Sequence, residues 1–184
     1  MKADLDVIEV FAEEALDLIA RSPFRDKIRQ LLDEAHRGTE MHKVDDDTHP
    51  VQYFRQSNCH GTLFHLLGFG DTEWPRFCDS SHMEMFLAHN CTERKTDNCI
   101  VIFRMPEYSL CRRTLAHSGL YLGSAGGMDT IFHQPDTGRE FTLDPIEQYT
   151  EMFFEMKGPY FFTVKEGELW VPAPFRKRKT KHNL

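Results

Sequence analysis

Three residues in this sequence have the types and order that thiol chemistry needs: Cys59, His117 and His133. A thiol attacks a carbonyl only as thiolate, so a nucleophilic cysteine needs the partial positive charge of a helix N-terminus, or an imidazole to take its proton. Cys59 lies in Asn58-Cys59-His60-Gly61, at the head of an apolar segment that runs to Leu67 and is expected to be a helix stopped by Gly68 and Gly70. Gly61 leaves room for another backbone to approach. His117 is the ionisable residue near the start of the apolar run Ala116–Gly123. Strict alternation sends His117, Gly119 and Tyr121 to one face of a strand and Ser118, Leu120 and Leu122 to the other. His133 ends the following run, Thr130-Ile131-Phe132. A hairpin turning around Ser124–Met128 would set the two histidines near each other on neighbouring strands. A base held in its tautomer by a second polar group is the general logic of a catalytic triad. Taken singly, each residue has a plainer explanation: a small buried thiol, a half-buried core histidine, a loop histidine. Only the combination points to catalysis.

The elements that must position them can be read from periodicity. Leu5, Ile8, Phe11, Ala15, Leu16 and Ile19 fall at helical steps and predict an amphipathic helix. Ser22-Pro23 reads as an N-cap and first helical position, opening a second helix striped by Phe24, Ile28, Leu31, Leu32 and Ala35 that Gly38 can end. Residues 39–50 form a polar connection. After the Cys59 helix, Ser80 and Ser81 precede a further helical stripe of Met83, Phe86 and Leu87. Short apolar runs follow at Cys99–Met105, Thr114–Gly123 and Asp129–His133, with Glu140–Leu143 a fourth; bounded by Pro and Gly, they read as strands. Asp144-Pro145 reads as the cap of a helix carrying Ile146, Tyr149, Met152 and Phe153, ended by Gly158-Pro159. Tyr160–Lys165 and Leu169–Val171 then form a hairpin around Glu166-Gly167. Helices first and an antiparallel sheet after make the class α+β.

Composition narrows the function further. The chain has 184 residues, 40% of them hydrophobic, enough for one domain with a real core. Its net charge of -7 and pI near 5.8 argue against nucleic acid as the main partner, because phosphate binding needs a positive footprint. The basic run Arg176–Lys181 reads as a solvated tail. Five cysteines at these spacings suggest no disulfide framework and fit reduced thiols in a cytosol-like compartment. The acidic start of the chain does not resemble an export signal, and no stretch approaches the ~20 apolar residues of a membrane span. Read this way, the protein is cytoplasmic, with delivery by a secretion machine a further possibility.

From about residue 53 to 135, and more loosely to 171, the chain resembles the NlpC-type cell-wall peptidases, a papain-like family. Their Cys-Ser-Gly-like motif at a helix start is matched by Cys59-His60-Gly61. Their strand His-Val-Gly-Ile-Tyr-Leu-Gly is matched by His117-Ser118-Gly119-Leu120-Tyr121-Leu122-Gly123, and their third polar residue by His133 in Ile131-Phe132-His133. Asn58 stands where the family usually has Asp, and His60 where it has Ser. The resemblance implies a papain-like α+β fold in which an N-terminal helical extension (residues 1–48) precedes a catalytic domain (49–175) and a basic tail (176–184). It also implies a cysteine hydrolase without metal or other cofactor, in which Cys59 attacks an amide carbonyl, His117 shuttles the proton and His133 orients His117. The substrate it implies is a peptide or muropeptide, cut next to D-glutamyl or diaminopimelyl residues.

Three other readings remain open. Cys78, His82, His89 and Cys91, with Cys99 as a spare, are ligand types for zinc, although their spacing matches no standard pattern. A thiol acyltransferase or deamidase would use the same Cys–His pair. A non-enzymatic peptide-binding module could also share the fold.

Overall fold

The computed structural model describes residues 2–41, 57–69, 74–105, 115–135, 141–148, 156–172 and 175. Two helices, α1 (Lys2–Arg21) and α2 (Arg25–Met41), lead the chain. α2 begins at Arg25, beyond the Pro23 start expected from the sequence; the Ser22 hydroxyl accepts from the Phe24 amide at 3.2 Å in the turn that leads into it. α2 runs through Gly38 to Met41, so that glycine does not end it. Helices α3 (Cys59–Leu66) and α4 (Ser80–Asn90) follow. Asp79 is the N-cap of α4, accepting from the Ser81 amide.

Six strands form one sheet: β1 (Cys91–Glu93), β2 (Cys99–Arg104), β3 (Leu115–Ala125), β4 (Met128–His133), β5 (Thr142–Pro145) and β6 (Lys157–Val164). Their order is β1-β6-β2-β3-β4-β5, and each pairing is antiparallel. The fold is α+β, as the sequence pattern predicts. β3 and β4 are joined by Gly126-Gly127, both at positive φ, the conformation that a two-residue hairpin with the right twist requires.

Alternation divides the core in two. Ile100, Ile102, Leu120, Leu122 and Phe132 join apolar residues of α1, α2, α3 and α4 in the larger cluster. Cys99, Val101, Phe103, Tyr121 and Ile131 form a smaller cluster with Ile146. α1 packs on β3: the side chain of Leu18 lies against Gly123, and Glu14 accepts from the Gly126 amide.

The C-terminal third differs from its sequence pattern. Thr142–Pro145 is an edge strand rather than only the lead into a helix, and helical backbone begins directly after it at Ile146, where the sequence expects a helix. A proline is tolerated there because it closes an edge strand, where a missing amide leaves no ladder bond unmade. Gly158-Pro159 lies inside β6 rather than ending a helix. β6 pairs with β1 and β2 instead of folding back on Leu169–Val171. Those residues are tied to α4 through Asn90, whose amide donates to the Trp170 carbonyl at 2.7 Å and accepts from its N–H at 2.8 Å. The polar connection at 42–50, Gly70, the helical stripe at Tyr149, Met152 and Phe153, and the basic run 176–181 lie outside the described residues.

Gly61 is where the segment before α4 meets α3. A Cβ there would stand 1.5 Å from the Arg76 carbonyl oxygen, a backbone atom that cannot swing aside. We expect Gly61→Ala to cost about 3 kcal/mol or more, read from the urea midpoint. An unchanged midpoint would show that this approach is not close in solution.

Candidate active site

Cys59 is the first residue of α3 and is partly exposed, whereas His60, Gly61, Thr62, Leu63 and Phe64 behind it are buried. Hydrogen bonds on three sides hold this turn in place. The Asn58 side-chain oxygen accepts from the amides of Gly61 (2.9 Å) and Cys78 (3.0 Å), while its nitrogen donates to the Cys78 carbonyl at 2.8 Å. A carboxylate could not make the last bond, so asparagine suits this cap. The fully buried Gln134, just past β4, accepts from the Ser57 hydroxyl at 2.9 Å and the Thr62 hydroxyl at 3.1 Å. His60 Nδ1 lies 2.7 Å from the Ser118 hydroxyl on β3.

The histidines named from the sequence come together as the hairpin demands. His117 Nε2 is 2.7 Å from His133 Nδ1, with the rings nearly perpendicular. The chain continues one residue further than the sequence suggested: His133 Nε2 is 2.9 Å from Asp144 Oδ2, which also accepts from the Thr142 hydroxyl at 2.8 Å. The pairing Ile131↔Asp144 puts Asp144 on the face of Ile131 and His133, diagonally across from the histidine. Asp144-Pro145 resembles a helix cap, and that local signal concealed its role.

Cys59 is not joined to this chain. Among the described residues, the thiol lies 3.7 Å from His60 Nδ1 and beside the backbone and hydroxyl of Ser118; it shares no hydrogen bond with His117. His117 and Ser118 are consecutive, so the imidazole and the hydroxyl leave β3 on opposite faces. His117 packs near Phe103 of the smaller cluster, and Ser118 meets α3.

Burial sets the resting charges. Desolvation pushes the Cys59 thiol above its ordinary pKa, outweighing nearby donors from Ser118 and the local backbone. It holds His117 well below the usual imidazole value, with His133 and His60 adding to the effect. His60 is lowered to about 4 by burial, partly offset by the charge of Asp79. Thiol and imidazoles Cys59, His117 and His60 are therefore neutral at pH 7. Partial burial raises the Asp144 carboxyl, but the hydrogen bonds from His133 and Thr142 and the proximity of His133 outweigh it, and Asp144 stays below the usual carboxylate range.

No three His, Cys, Asp or Glu residues among those described are placed to hold a metal ion. Of the proposed zinc ligands, His82 lies against Phe175 and His89 against Trp170. No helix among the described residues is long and apolar enough to cross a membrane. Compared with protein-family models, with curated proteins and with solved structures, the chain finds no match.

Two outcomes follow from the buried neutral groups. With its thiol pKa raised, Cys59 should alkylate with iodoacetamide more slowly at pH 7.5 than a peptide thiol, its rate still climbing above pH 9; per-residue mass spectrometry reads this. A fast plateau well below pH 8 would instead reveal a standing thiolate–imidazolium pair. Burial also lowers His65 to about 4, aided by Lys27, as it does His60. Between pH 6.5 and 4 the unfolded chain binds these protons more readily, so stability must fall as pH drops through that window. The urea midpoint should decline from pH 7 to 4.5, and less steeply in His65→Gln.

Proposed function

We propose that this protein is a cysteine hydrolase that cleaves an amide bond, with Cys59 as nucleophile, His117 as proton acceptor and His133 orienting His117. The observation that carries the reading is the hydrogen-bonded chain His117–His133–Asp144, which begins one strand residue from Ser118, the residue that Cys59 touches. A partly buried cysteine at a helix N-terminus, clamped beside that strand, has the placement a nucleophile needs. The N–H groups of the first α3 turn favour negative charge on an attacked carbonyl oxygen.

Because thiol and imidazole are both neutral at rest, the proton leaves as the sulfur attacks, rather than before substrate arrives. The thiol and His117 lie on opposite faces of β3 at rest, so this reading requires the first turn of α3 to shift around the strand before the proton can pass. The acyl-enzyme is then released by water; an amine in its place would make the protein an acyltransferase. The matched motifs make the papain-like arrangement and peptidoglycan stem peptides our working choice of fold family and substrate.

A second reading draws on the contacts of the thiol itself. Its neighbours are His60 and Ser118, and its pKa is raised, which suits an unreactive thiol in a peptide-binding module. Incubation with purified muropeptides, followed by mass spectrometry, separates the two. The hydrolase reading expects new amino termini, none with Cys59→Ala, and kcat/KM down about 100-fold or more with His117→Ala. His60→Gln, which can keep a hydrogen bond to Ser118 but has no basic nitrogen, should retain most activity; if it stays folded and abolishes turnover instead, His60 is the base. No cleavage of muropeptides or of simple peptide amides by the wild type would favour the binding module.

A further inference from the structure

The end of the histidine chain determines its beginning. Asp144 is ionised at neutral pH and can only accept, so the 2.9 Å contact requires a proton on His133 Nε2. In a neutral His133 that choice leaves Nδ1 as a lone pair. The 2.7 Å contact at Nδ1 then requires the hydrogen to sit on His117 Nε2. His117 is neutral and already carries its one proton, so its Nδ1 is left as an acceptor. Any group that meets His117 Nδ1 must donate to it.

We propose that Asp144 is a positioning residue that fixes the tautomers of His133 and His117, so that His117 Nδ1 is the nitrogen that takes a proton. Its role in catalysis rests on the hydrolase reading; its role in setting the tautomers does not. Under the hydrolase reading, the Cys59 S–H bond breaks as sulfur bonds to the carbonyl carbon, and an N–H bond forms at His117 Nδ1. When the tetrahedral adduct collapses, the C–N bond breaks and His117 Nδ1 returns that proton to the leaving amine. The resulting imidazolium donates through His133 toward the Asp144 carboxylate, which stabilises the positive charge without taking the proton. Thr142 holds the carboxylate in place from its other side. His133 is wholly buried and the Asp144 side chain is 34% exposed, so the chain runs from the interior to the sheet edge and leaves His133 little freedom to rotate away.

The test is a long-range proton–nitrogen correlation spectrum of the full chain with nitrogen-15 histidine at pH 7, assigned with single His→Gln variants. We expect the Nε2–H tautomer at both His117 and His133, and in Asp144→Ala a mixture of tautomers at both. In turnover, Asp144→Ala should lower kcat by at least about tenfold with KM nearly unchanged. A proton on His117 Nδ1, or a doubly protonated His133, would overturn the proposal from the wild-type spectrum alone, even if the variant does not fold. Unchanged tautomers in a folded Asp144→Ala would also overturn it. The expected tautomers in a protein that cleaves no amide would support the assignment and remove the hydrolase reading.

Discussion

The site depends on one constraint: the first turn of α3 is held by buried polar side chains against three separate parts of the chain. Asn58 ties it to Cys78, Gln134 ties it to the end of β4, and His60 ties it to β3. Within a low-dielectric interior such bonds are strong when complete and costly when partial, so they favour one placement of the helix over near alternatives. Apolar packing of Leu63, Phe64 and Leu66 supplies most of the driving force but little direction. The polar set supplies the direction. Cys59 is held at the mouth of this arrangement, and its position follows from residues that do no chemistry.

The same burial that holds the helix governs the electrostatics around the sulfur. A cysteine exposed at a helix N-terminus would ionise more easily than a free one; here desolvation exceeds that help. The cap contributes by being uncharged. An aspartate at 58 would place a negative charge one residue from the sulfur and disfavour the thiolate further, while losing the donor that Cys78 needs. Under the hydrolase we propose, Asn58 and the histidine chain would address different stages of one reaction, the first by avoiding a penalty at rest, the second by receiving the proton in the transition state.

Much of this was legible in the sequence, for identifiable reasons. The apolar runs of α3 and β2 to β4 match their burial, as does the α1 stripe at Ala15 and Ile19, although Leu16 is exposed and Leu18 is buried in its place; the two-glycine turn fixes the register that joins His117 to His133. What escaped depends on long-range pairing. β1 is three residues long, too short to carry a pattern, and exists because β6 returns beside it. Asp144-Pro145 satisfies the local rule for a helix start, and helical backbone does begin at Ile146; what the rule does not show is that both residues also pair with β4. Gln134, His60 and Ser118 are polar residues with no motif to mark them; only their burial reveals that they hold the turn.

β5 is four residues long and lies at the open edge of the sheet, paired on one side only. Because strand side chains alternate, a slip of one residue there would present Leu143 or Pro145 to His133 in place of the carboxylate. Length changes in the chain entering β5 can therefore accumulate over evolution only if the strand re-enters in phase. The Thr142-x-Asp144 spacing, more than the sequence that precedes it, is what a divergent relative with the same histidine chain must keep.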